Sequence, residues 1–213
     1  MKHIYIIAEI GCNHCGDPKL AKKMVDEAKA CGVDAVKFQT FKAAELISKY
    51  APKADYQKVT TGNDENQLEM TRKLELPYDE FIKLRDYAVS LGLDTFSTPF
   101  DMDSIAFLEQ QKQVIWKIPS GEVTNLPFLE RIAKYKIPNK KIILSTGMCT
   151  IEEIHQAVDI ICKYEDPKNL IILHCNTEYP TPDKDVNLSA IDTLHQEFPD
   201  IEIGFSDHSV GYV

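Results

Sequence analysis

The stretch 141–175, KIILSTGMCTIEEIHQAVDIICKYEDPKNLIILHC, contains one apolar run, then a helical pattern, then a second apolar run. Thr150 and Glu153 have the spacing of a capping box, which predicts that a helix over 151–164 begins there. Two nearly continuous apolar strands joined by a helix are typical of a parallel sheet that is buried on both faces.

The same unit recurs along the whole chain. Helical patterns lie between successive apolar runs, at 18–32, 78–92, 103–111, 126–135, 151–164 and 188–197. The apolar, β-branched runs that predict strands are IYIIAEI (4–10), AVKFQT (35–40), DTFSTPF (94–100), VIWKIPS (114–120), KIILSTG (141–147), LIILHC (170–175) and IEIGFSD (201–207).

Repeated strand–helix units without a break in composition favour a (β/α)₈ TIM barrel over the alternative, an open doubly wound sheet. Seven strands are found, and the sequence ends shortly after the seventh. We therefore expect an α/β chain in which residues 1–213 form a barrel domain truncated after strand seven. The connection 41–76 is long for a barrel, and long ordered loops tend to be functional.

Composition and charge restrict the class of partner. The chain has 213 residues, of which 44% are hydrophobic and 27% charged, as in ordinary globular proteins. Its formal net charge of −9 argues against nucleic acid and anionic membranes as partners. No signal peptide and no run of roughly 18 apolar residues is found, so no membrane partner is expected. Six scattered cysteines predict a reducing cytoplasm.

Polar side chains collect where the predicted strands end, and barrel active sites lie at those carboxyl ends. Lys37 and Lys117 lie within apolar strands, where an unpaired ammonium is costly. A lysine there can instead extend to the rim, and serine or threonine can cap a helix. The other polar residues of the predicted rim are Glu9, Asn13, His14, Gln39, Ser97, Thr98, Ser120, Glu122, Ser145, Thr146, His174, Asn176, Thr177, Tyr179, Ser206, Asp207 and His208.

These residue types indicate a chemistry. Lys37 and Lys117 with hydroxyl donors suit a ligand that carries phosphate and carboxylate. His208, beside Asp207, suits a divalent metal that polarises a carbonyl oxygen. His174 is as consistent with a hydrogen-bonded core histidine as with a ligand. The set predicts an enzyme that forms or breaks a carbon–carbon bond in a phosphorylated substrate.

A series of segments, in order, resembles the N-acetylneuraminate (sialic acid) synthase family of bacterial type: AEIGCNHCGD, AVKFQTFKA, TFSTPFD, WKIPSGE, ILSTGM, HCNTEYPTP and GFSDHS. The resemblance runs over all 213 residues. Relatives that make legionaminic or pseudaminic acid share most of these segments. The segment CNTEYPTP and the loop APKADYQ are more similar to sialic or legionaminic acid synthases than to pseudaminic ones.

The resemblance implies a fold and an activity. Family members have a (β/α)₈ barrel followed by a small antifreeze-like domain, and they act as homodimers. They condense phosphoenolpyruvate with N-acetylmannosamine and release phosphate, using a divalent metal. Mn²⁺ is expected here, with Mg²⁺ or Co²⁺ as alternatives. The eighth strand and the small domain are not in this sequence.

The resemblance also assigns roles by position. Lys37, Thr98, Lys117, Ser120, Ser145 and Ser206 match phosphoenolpyruvate-binding positions, and Thr177 matches one that is Asn in some members. Glu9, Asn63 and Tyr179 match residues that contact the sugar, and Gln39 and Glu122 match polar residues of the same pocket. His208 matches one of two metal-binding histidines. We expect the catalytic residues to be Glu9, Lys37, Lys117 and Glu122.

The implied mechanism is metal-assisted condensation. The metal would polarise the aldehyde oxygen of the open-chain sugar, and carbon 3 of phosphoenolpyruvate would attack the aldehyde carbon. Water would then add at C2, and phosphate would leave. Lys37 and Lys117 would position and stabilise the anionic groups, and Glu9 would orient the sugar or assist proton transfer.

The motif CNHC at 12–15 departs from the family pattern E-I-G-x-N-H-N-G, since Cys15 stands where Asn is usual. A zinc site would need two more ligands, and no second C-x-x-C exists. A redox pair is the other alternative, because a following helix N-terminus can lower a thiol pKa. The favoured interpretation places Glu9 and Asn13 in the site and makes Cys15 a substitution.

Two other functions remain open from the residues. Lys117 could form an imine with a pyruvate-like substrate, as in a Schiff-base aldolase. The 213 residues alone could instead be a fragment that only binds a ligand or a partner, because the eighth strand is missing. An open barrel edge invites pairing and aggregation, so we expect this fragment alone to be inactive and marginally stable. Within the family, a legionaminic acid synthase is the alternative to a sialic acid synthase.

Overall fold

The computed structural model describes residues 3–53 and 65–211. The chain divides into two compact units, Met1–Gln111 and Lys112–Val213. Each unit is built on its own parallel sheet.

The first unit contains three parallel strands in the order β1-β2-β3: β1 Ile7–Gly11, β2 Ala35–Thr40 and β3 Asp94–Pro99. Within the sheet, Glu9 lies beside Lys37, and Gln39 lies beside Thr98. The β1–β2 register shifts between Glu9 and Gly11, an irregularity of the kind found next to active sites. The helices are α1 Pro18–Ala30, α2 Ala43–Leu46, α3 Gln67–Arg72, α4 Tyr78–Ser90 and α5 Met102–Gln110.

The second unit contains four parallel strands in the order β4-β5-β6-β7: β4 Ile115–Ile118, β5 Lys141–Ser145, β6 Leu170–Cys175 and β7 Glu202–Ser206. The helices are α6 Leu126–Lys134, α7 Ile151–Cys162 and α8 Ala190–Glu197, and short 3₁₀ helices lie at Ser120–Glu122, Pro167–Asn169 and Asp183–Asp185. Sequential parallel neighbours joined by helices are the strand order of a (β/α)₈ barrel. The predicted α/β class and the seven strands are confirmed.

Local sequence signals explain where helices begin and end. Asp17 accepts a hydrogen bond from the Lys19 amide at 2.8 Å, directly before Pro18 begins α1. The capping box predicted at Thr150 and Glu153 is present, with both reciprocal bonds formed. These side chains satisfy amide groups that the first helical turn leaves without partners.

The amino end of β1 differs from the prediction. The predicted strand 4–10 begins instead at Ile7, and Ile4 and Ile6 are exposed. The Ile6 amide donates to Asp34 Oδ2 at 2.7 Å, so a carboxylate takes the place of a strand partner there. Side chains that bind backbone amides compete with sheet pairing, and periodicity does not reveal them.

The cores are apolar and closely packed. In the first unit, Phe38 and Phe81 meet edge to face with ring centroids 5.8 Å apart. In the second, Trp116 is fully buried and donates its indole N–H to the Gln113 carbonyl at 2.9 Å. Within the described residues, no helix has the length and apolar character needed to cross a bilayer.

Candidate functional site

The ammonium of Lys37 is the centre of the polar cluster in the first unit. It forms an ion pair with the Glu9 carboxylate and donates to Thr98 Oγ1 at 3.2 Å. Lys37 is 7% exposed and Thr98 1%, whereas the Glu9 side chain is 46% exposed. A buried ammonium is tolerated because it is paired and hydrogen-bonded. The structure brings together these three predicted residues.

Gly11 lets Gln39 join this cluster. A Cβ atom built on Gly11 would lie 3.0 Å from Glu9 Oε1 and 3.4 Å from Gln39 Nε2. Gly11 also has φ +54, which other L-residues rarely adopt. The absent side chain therefore leaves space in which the carboxylate of Glu9 and the amide of Gln39 both reach the end of β1.

The turn after β1 holds the CNHC motif. Cys15 has φ +50, and its thiol donates to the Asn13 carbonyl at 3.6 Å. His14 is 1% exposed; its Nδ1 accepts from the Gly16 amide at 3.0 Å, and burial lowers its pKa. A neutral ring with Nδ1 as acceptor is a structural part of the turn.

The surroundings of Cys12 bear on the redox alternative for the CNHC motif. Burial raises the pKa of Cys12, the nearby Glu9 charge acts in the same direction, and Lys37 opposes it. A thiol pKa lowered by the following helix is therefore not found at Cys12. All six cysteines, each within the described part of the chain, are free thiols.

In the second unit, Lys117 and Ser145 lie at the carboxyl ends of β4 and β5. Lys117 is 8% exposed, and its Nζ donates to the Ile118 carbonyl at 3.2 Å. Ser145 is 4% exposed. Both predicted anion-binding residues are thus held at strand ends with little freedom to move.

Ser120 is oriented by its neighbours. Its Oγ accepts from the Gly147 amide at 2.9 Å and lies 3.3 Å from the thiol sulfur of Cys175. A Cβ on Gly147 would lie 2.9 Å from Thr177 Cγ2 and 3.1 Å from that sulfur. The missing side chain of Gly147 therefore leaves space for Thr177 and Cys175 beside the amide that donates to Ser120.

Glu122 takes a different role from the others. Its Oε2 accepts from Asn125 Nδ2 at 2.6 Å, and Asn125 caps α6. In this arrangement the carboxylate stabilises the start of a helix, a role that its place in the sequence did not indicate. Its predicted catalytic role remains a prediction.

His208 is held in one tautomer. Its Nδ1 lies 2.5 Å from the Asn176 carbonyl, which can only accept, so Nδ1 carries the proton. Nε2 therefore has the free electron pair, and Ser206 Oγ lies 3.3 Å from it. The Tyr179 ring centroid lies 4.3 Å from that of the imidazole. The structure brings together these three predicted residues.

An imidazole whose other nitrogen donates to a backbone carbonyl is the usual arrangement of a metal-binding histidine. His208 fits that role as one ligand. In residues 3–53 and 65–211, no three His, Cys, Asp or Glu side chains are grouped to hold a metal. The pKa of Asp207 is lowered, chiefly because its carboxylate lies against the Ser209 amide and accepts from it.

Three further residues, described below, complete the comparison between the sequence prediction and the structure. His174 donates Nε2–H to the Val186 carbonyl at 2.8 Å, which fits a hydrogen-bonded core histidine. The predicted sugar contact Asn63 lies outside the described residues. The carbonyl of Asn176, which fixes the His208 tautomer, was missed because a backbone group has no sequence signature.

Comparison with known proteins gives consistent matches. The model of the NeuB family matches residues 24–213. The chain is 49% identical to the N,N'-diacetyllegionaminic acid synthase of Campylobacter jejuni, over 99% of the chain and 62% of that protein. It is 45% identical to the Legionella pneumophila protein of the same name, over 97% of the chain and 58% of that protein.

The fold matches a solved structure over nearly its whole length. The crystal structure of the N-acetylneuraminic acid synthetase from Leptospira borgpetersenii, in complex with citrate, superposes with a TM-score of 0.82 and 34% identity. The match covers 98% of this chain and 66% of that one. The chain spans 62% and 58% of the lengths of the two curated relatives above.

Proposed function

The chain belongs to the NeuB family, and on this premise we propose that it serves the condensation of phosphoenolpyruvate with a six-carbon amino sugar. The products are a nine-carbon sugar acid and phosphate. The main support for this proposal is the environment of Lys37. Its buried ammonium forms an ion pair with the half-exposed Glu9 and a hydrogen bond to Thr98. Such a group is suited to receive an anion.

The sugar is the point on which the comparisons favour the alternative. The sequence put N-acetylmannosamine and sialic acid first. The relatives at 49% and 45% identity are named for N,N'-diacetyllegionaminic acid, so we propose that product. Its name requires a precursor hexose with two acetamido groups. N-acetylmannosamine is the second candidate, supported by the likeness to a sialic acid synthetase.

In the first unit, Lys37 and Thr98 hold an anionic group of phosphoenolpyruvate. Glu9 is free to turn toward the sugar because its side chain is 46% exposed. When an anion takes its place beside Lys37, the carboxylate can accept a sugar hydroxyl or move a proton from it. Gln39, whose amide lies at Gly11 beside Glu9, adds a neutral donor and acceptor.

In the second unit, Lys117, Ser120 and Ser145 bind anionic oxygens. Ser120 accepts from the Gly147 amide, so its hydroxyl hydrogen can be donated to a phosphate or carboxylate oxygen. Polar contacts also come from the ends of the last two strands. Thr177 and Tyr179 follow β6, and Ser206 ends β7 beside His208. These side chains position the substrate and stabilise its charge, which is the main catalytic contribution expected in reactions of this kind.

His208 would hold a divalent metal through Nε2, with further ligands from outside the described residues. The metal, Mn²⁺ with Mg²⁺ or Co²⁺ as alternatives, supplies Lewis-acid polarisation of the sugar carbonyl when bound. The Asn176 carbonyl keeps the proton on Nδ1 and so keeps Nε2 available.

The bond changes balance without a further reactant except water. Carbon 3 of phosphoenolpyruvate attacks the aldehyde carbon and forms the new carbon–carbon bond. Water adds at carbon 2, and the resulting tetrahedral centre expels phosphate. The homodimer that the family resemblance implies and the cytoplasmic location that the cysteines predict are further parts of this proposal.

The test is phosphate release by the full-length protein that carries this chain. Phosphoenolpyruvate and Mn²⁺ are supplied with either the diacetamido hexose or N-acetylmannosamine, with and without EDTA. Faster, EDTA-sensitive release with the diacetamido hexose supports the proposal. Release only with N-acetylmannosamine moves the product to sialic acid. Sugar-independent trapping of pyruvate by borohydride at Lys117 would instead favour the Schiff-base aldolase.

A further inference from the structure

The CNHC turn brings the backbones of Cys12 and Cys15 close together. The Cys15 amide donates to the Cys12 carbonyl at 2.9 Å, which closes a four-residue turn. The first and fourth Cα atoms of such a turn lie within about 7 Å of each other. Disulfides join Cα atoms that are usually about 4.4–6.8 Å apart. The turn therefore brings the two Cα atoms to a separation that a disulfide can span.

The two thiols differ in access. Both are free, Cys15 is exposed, and Cys12 is partly buried. Besides burial, the charges of Glu9 and Cys15 raise the pKa of Cys12, while Lys37 lowers it. Cys12 therefore lies within electrostatic reach of both the other thiol and the Glu9–Lys37 pair.

The presence of cysteine at position 15 is not explained by packing. Cys15 has φ +50, a left-handed conformation that asparagine adopts several times more readily than most residues. The side chain is exposed, and its contact is a weak bond to the Asn13 carbonyl. A thiol here costs backbone energy and gains little from contacts.

Both ends of the turn lie close to other residues of the same unit. At one end, a Cβ on Gly11 would lie 3.0 Å from Glu9 Oε1 and 3.4 Å from Gln39 Nε2. At the other, a Cβ on Gly16 would lie 2.4 Å from the Lys73 carbonyl, so the backbone cannot shift freely there. A change in the shape of the turn would therefore occur next to the side chains of Glu9 and Gln39.

We propose that Cys12 and Cys15 are a reversible redox modification site, and that their disulfide impairs the adjoining Glu9–Lys37–Gln39 cluster. The bond withdraws the Cys15 sulfur from Asn13 and shifts the backbone at Gly11. The effect on catalysis rests on the proposed function, whereas the formation of the disulfide does not.

The oxidant is a low-molecular-weight disulfide such as oxidised glutathione. The exposed Cys15, as thiolate, attacks one glutathione sulfur, which forms a mixed disulfide and releases one glutathione. Cys12 then loses its proton and attacks the Cys15 sulfur, which forms the protein disulfide and releases the second glutathione. The two thiol protons are recovered on the two glutathione molecules, so atoms and electrons balance.

The test equilibrates the full-length protein in glutathione buffers of increasing oxidation and maps disulfides by peptide mass spectrometry. We expect a Cys12–Cys15 disulfide that dithiothreitol reverses. Phosphate release should fall by up to about 100-fold on oxidation, the cost of misplacing a positioning group by ~1 Å. Cys15→Asn should keep the activity of the reduced protein and resist oxidation, and Cys31→Ser, an exposed control, should behave as wild type.

Different negative results would contradict different parts of the proposal. Glutathione retained on Cys15, or no disulfide at 12–15, would overturn the modification site. A disulfide that leaves activity unchanged would overturn its effect on the cluster. If the reduced protein has no condensation activity, the proposed function fails. Calorimetric binding of phosphoenolpyruvate then serves as the readout, and equal affinity in both redox states would contradict the inference.

Discussion

Lys37 and Glu9 form an ion pair whose two partners differ in burial: the lysine is 7% exposed and the carboxylate side chain is 46% exposed. The pair is therefore asymmetric. Removing the exposed partner leaves a buried charge without its carboxylate, whereas removing the buried partner leaves a carboxylate that water can solvate.

This asymmetry predicts unequal effects on stability. Lys37→Met should change the free energy of unfolding by less than about 1 kcal/mol, because Glu9 returns to water. Glu9→Gln should lower it by about 1–3 kcal/mol, because the ammonium keeps only weaker partners. Urea denaturation of the two variants measures both values. The reverse order would show that the ammonium is not the costly partner.

Gly16 should tolerate no side chain. It combines φ +76 with a Cβ position 2.4 Å from the Lys73 carbonyl. Gly32 has the same φ and no atom within 4 Å, which makes it a matched control. Gly32→Ala should cost about 1 kcal/mol for the left-handed backbone alone. Gly16→Ala should cost about 2–3 kcal/mol more, from the collision. Equal costs by thermal denaturation would refute the close packing of the turn on residue 73.

His208→Ala should weaken Mn²⁺ binding by at least about 100-fold, because it removes the ligand that we propose for the metal, whose tautomer the protein fixes. Electron paramagnetic resonance of free Mn²⁺ measures the affinity without any turnover. His155→Ala is the control, since His155 on α7 pairs with Glu197 and is half-exposed. Unchanged Mn²⁺ affinity in His208→Ala would remove His208 from the metal site.

Cys15→Asn should stabilise the reduced protein. Asparagine is enriched several-fold in the left-handed region that φ +50 occupies, which corresponds to about 0.5–1 kcal/mol. The midpoint of urea unfolding in the presence of dithiothreitol should rise without a change in slope. A lower midpoint would show that the contacts of the Cys15 thiol stabilise the fold by more than its left-handed backbone costs.

The sequence was sufficient for the class of fold and for the positions of most elements. Alternation of apolar runs with capped helices has a physical cause in burial and in amide satisfaction, so Thr150 and Pro18 marked helix starts correctly. Strand ends were less accurate. The side chain of Asp34, distant in sequence, binds the amide of Ile6 and shifts the start of β1.

The candidate site was predictable only at the level of residue types. Lys37 and Thr98 were expected to act together, and they are hydrogen-bonded. The dependence of His208 on the Asn176 carbonyl, and of Ser120 on Gly147, could not be predicted, because backbone groups are the same at every position. The hydrogen bond from Asn125 to Glu122 was missed for a related reason. Asn and Glu side chains occur both at helix starts and in binding pockets, so residue type does not distinguish the two roles.

In the proposed reaction, carbon 3 of phosphoenolpyruvate becomes bonded to the aldehyde carbon of the sugar. The direct measurement incubates the full-length protein with phosphoenolpyruvate labelled with carbon-13 at C3, the diacetamido hexose and Mn²⁺, followed by carbon NMR. We expect the label to appear in a methylene group of a nine-carbon sugar acid, with one phosphate released per product. Label that remains in phosphoenolpyruvate, or that appears in the methyl group of free pyruvate, would contradict it.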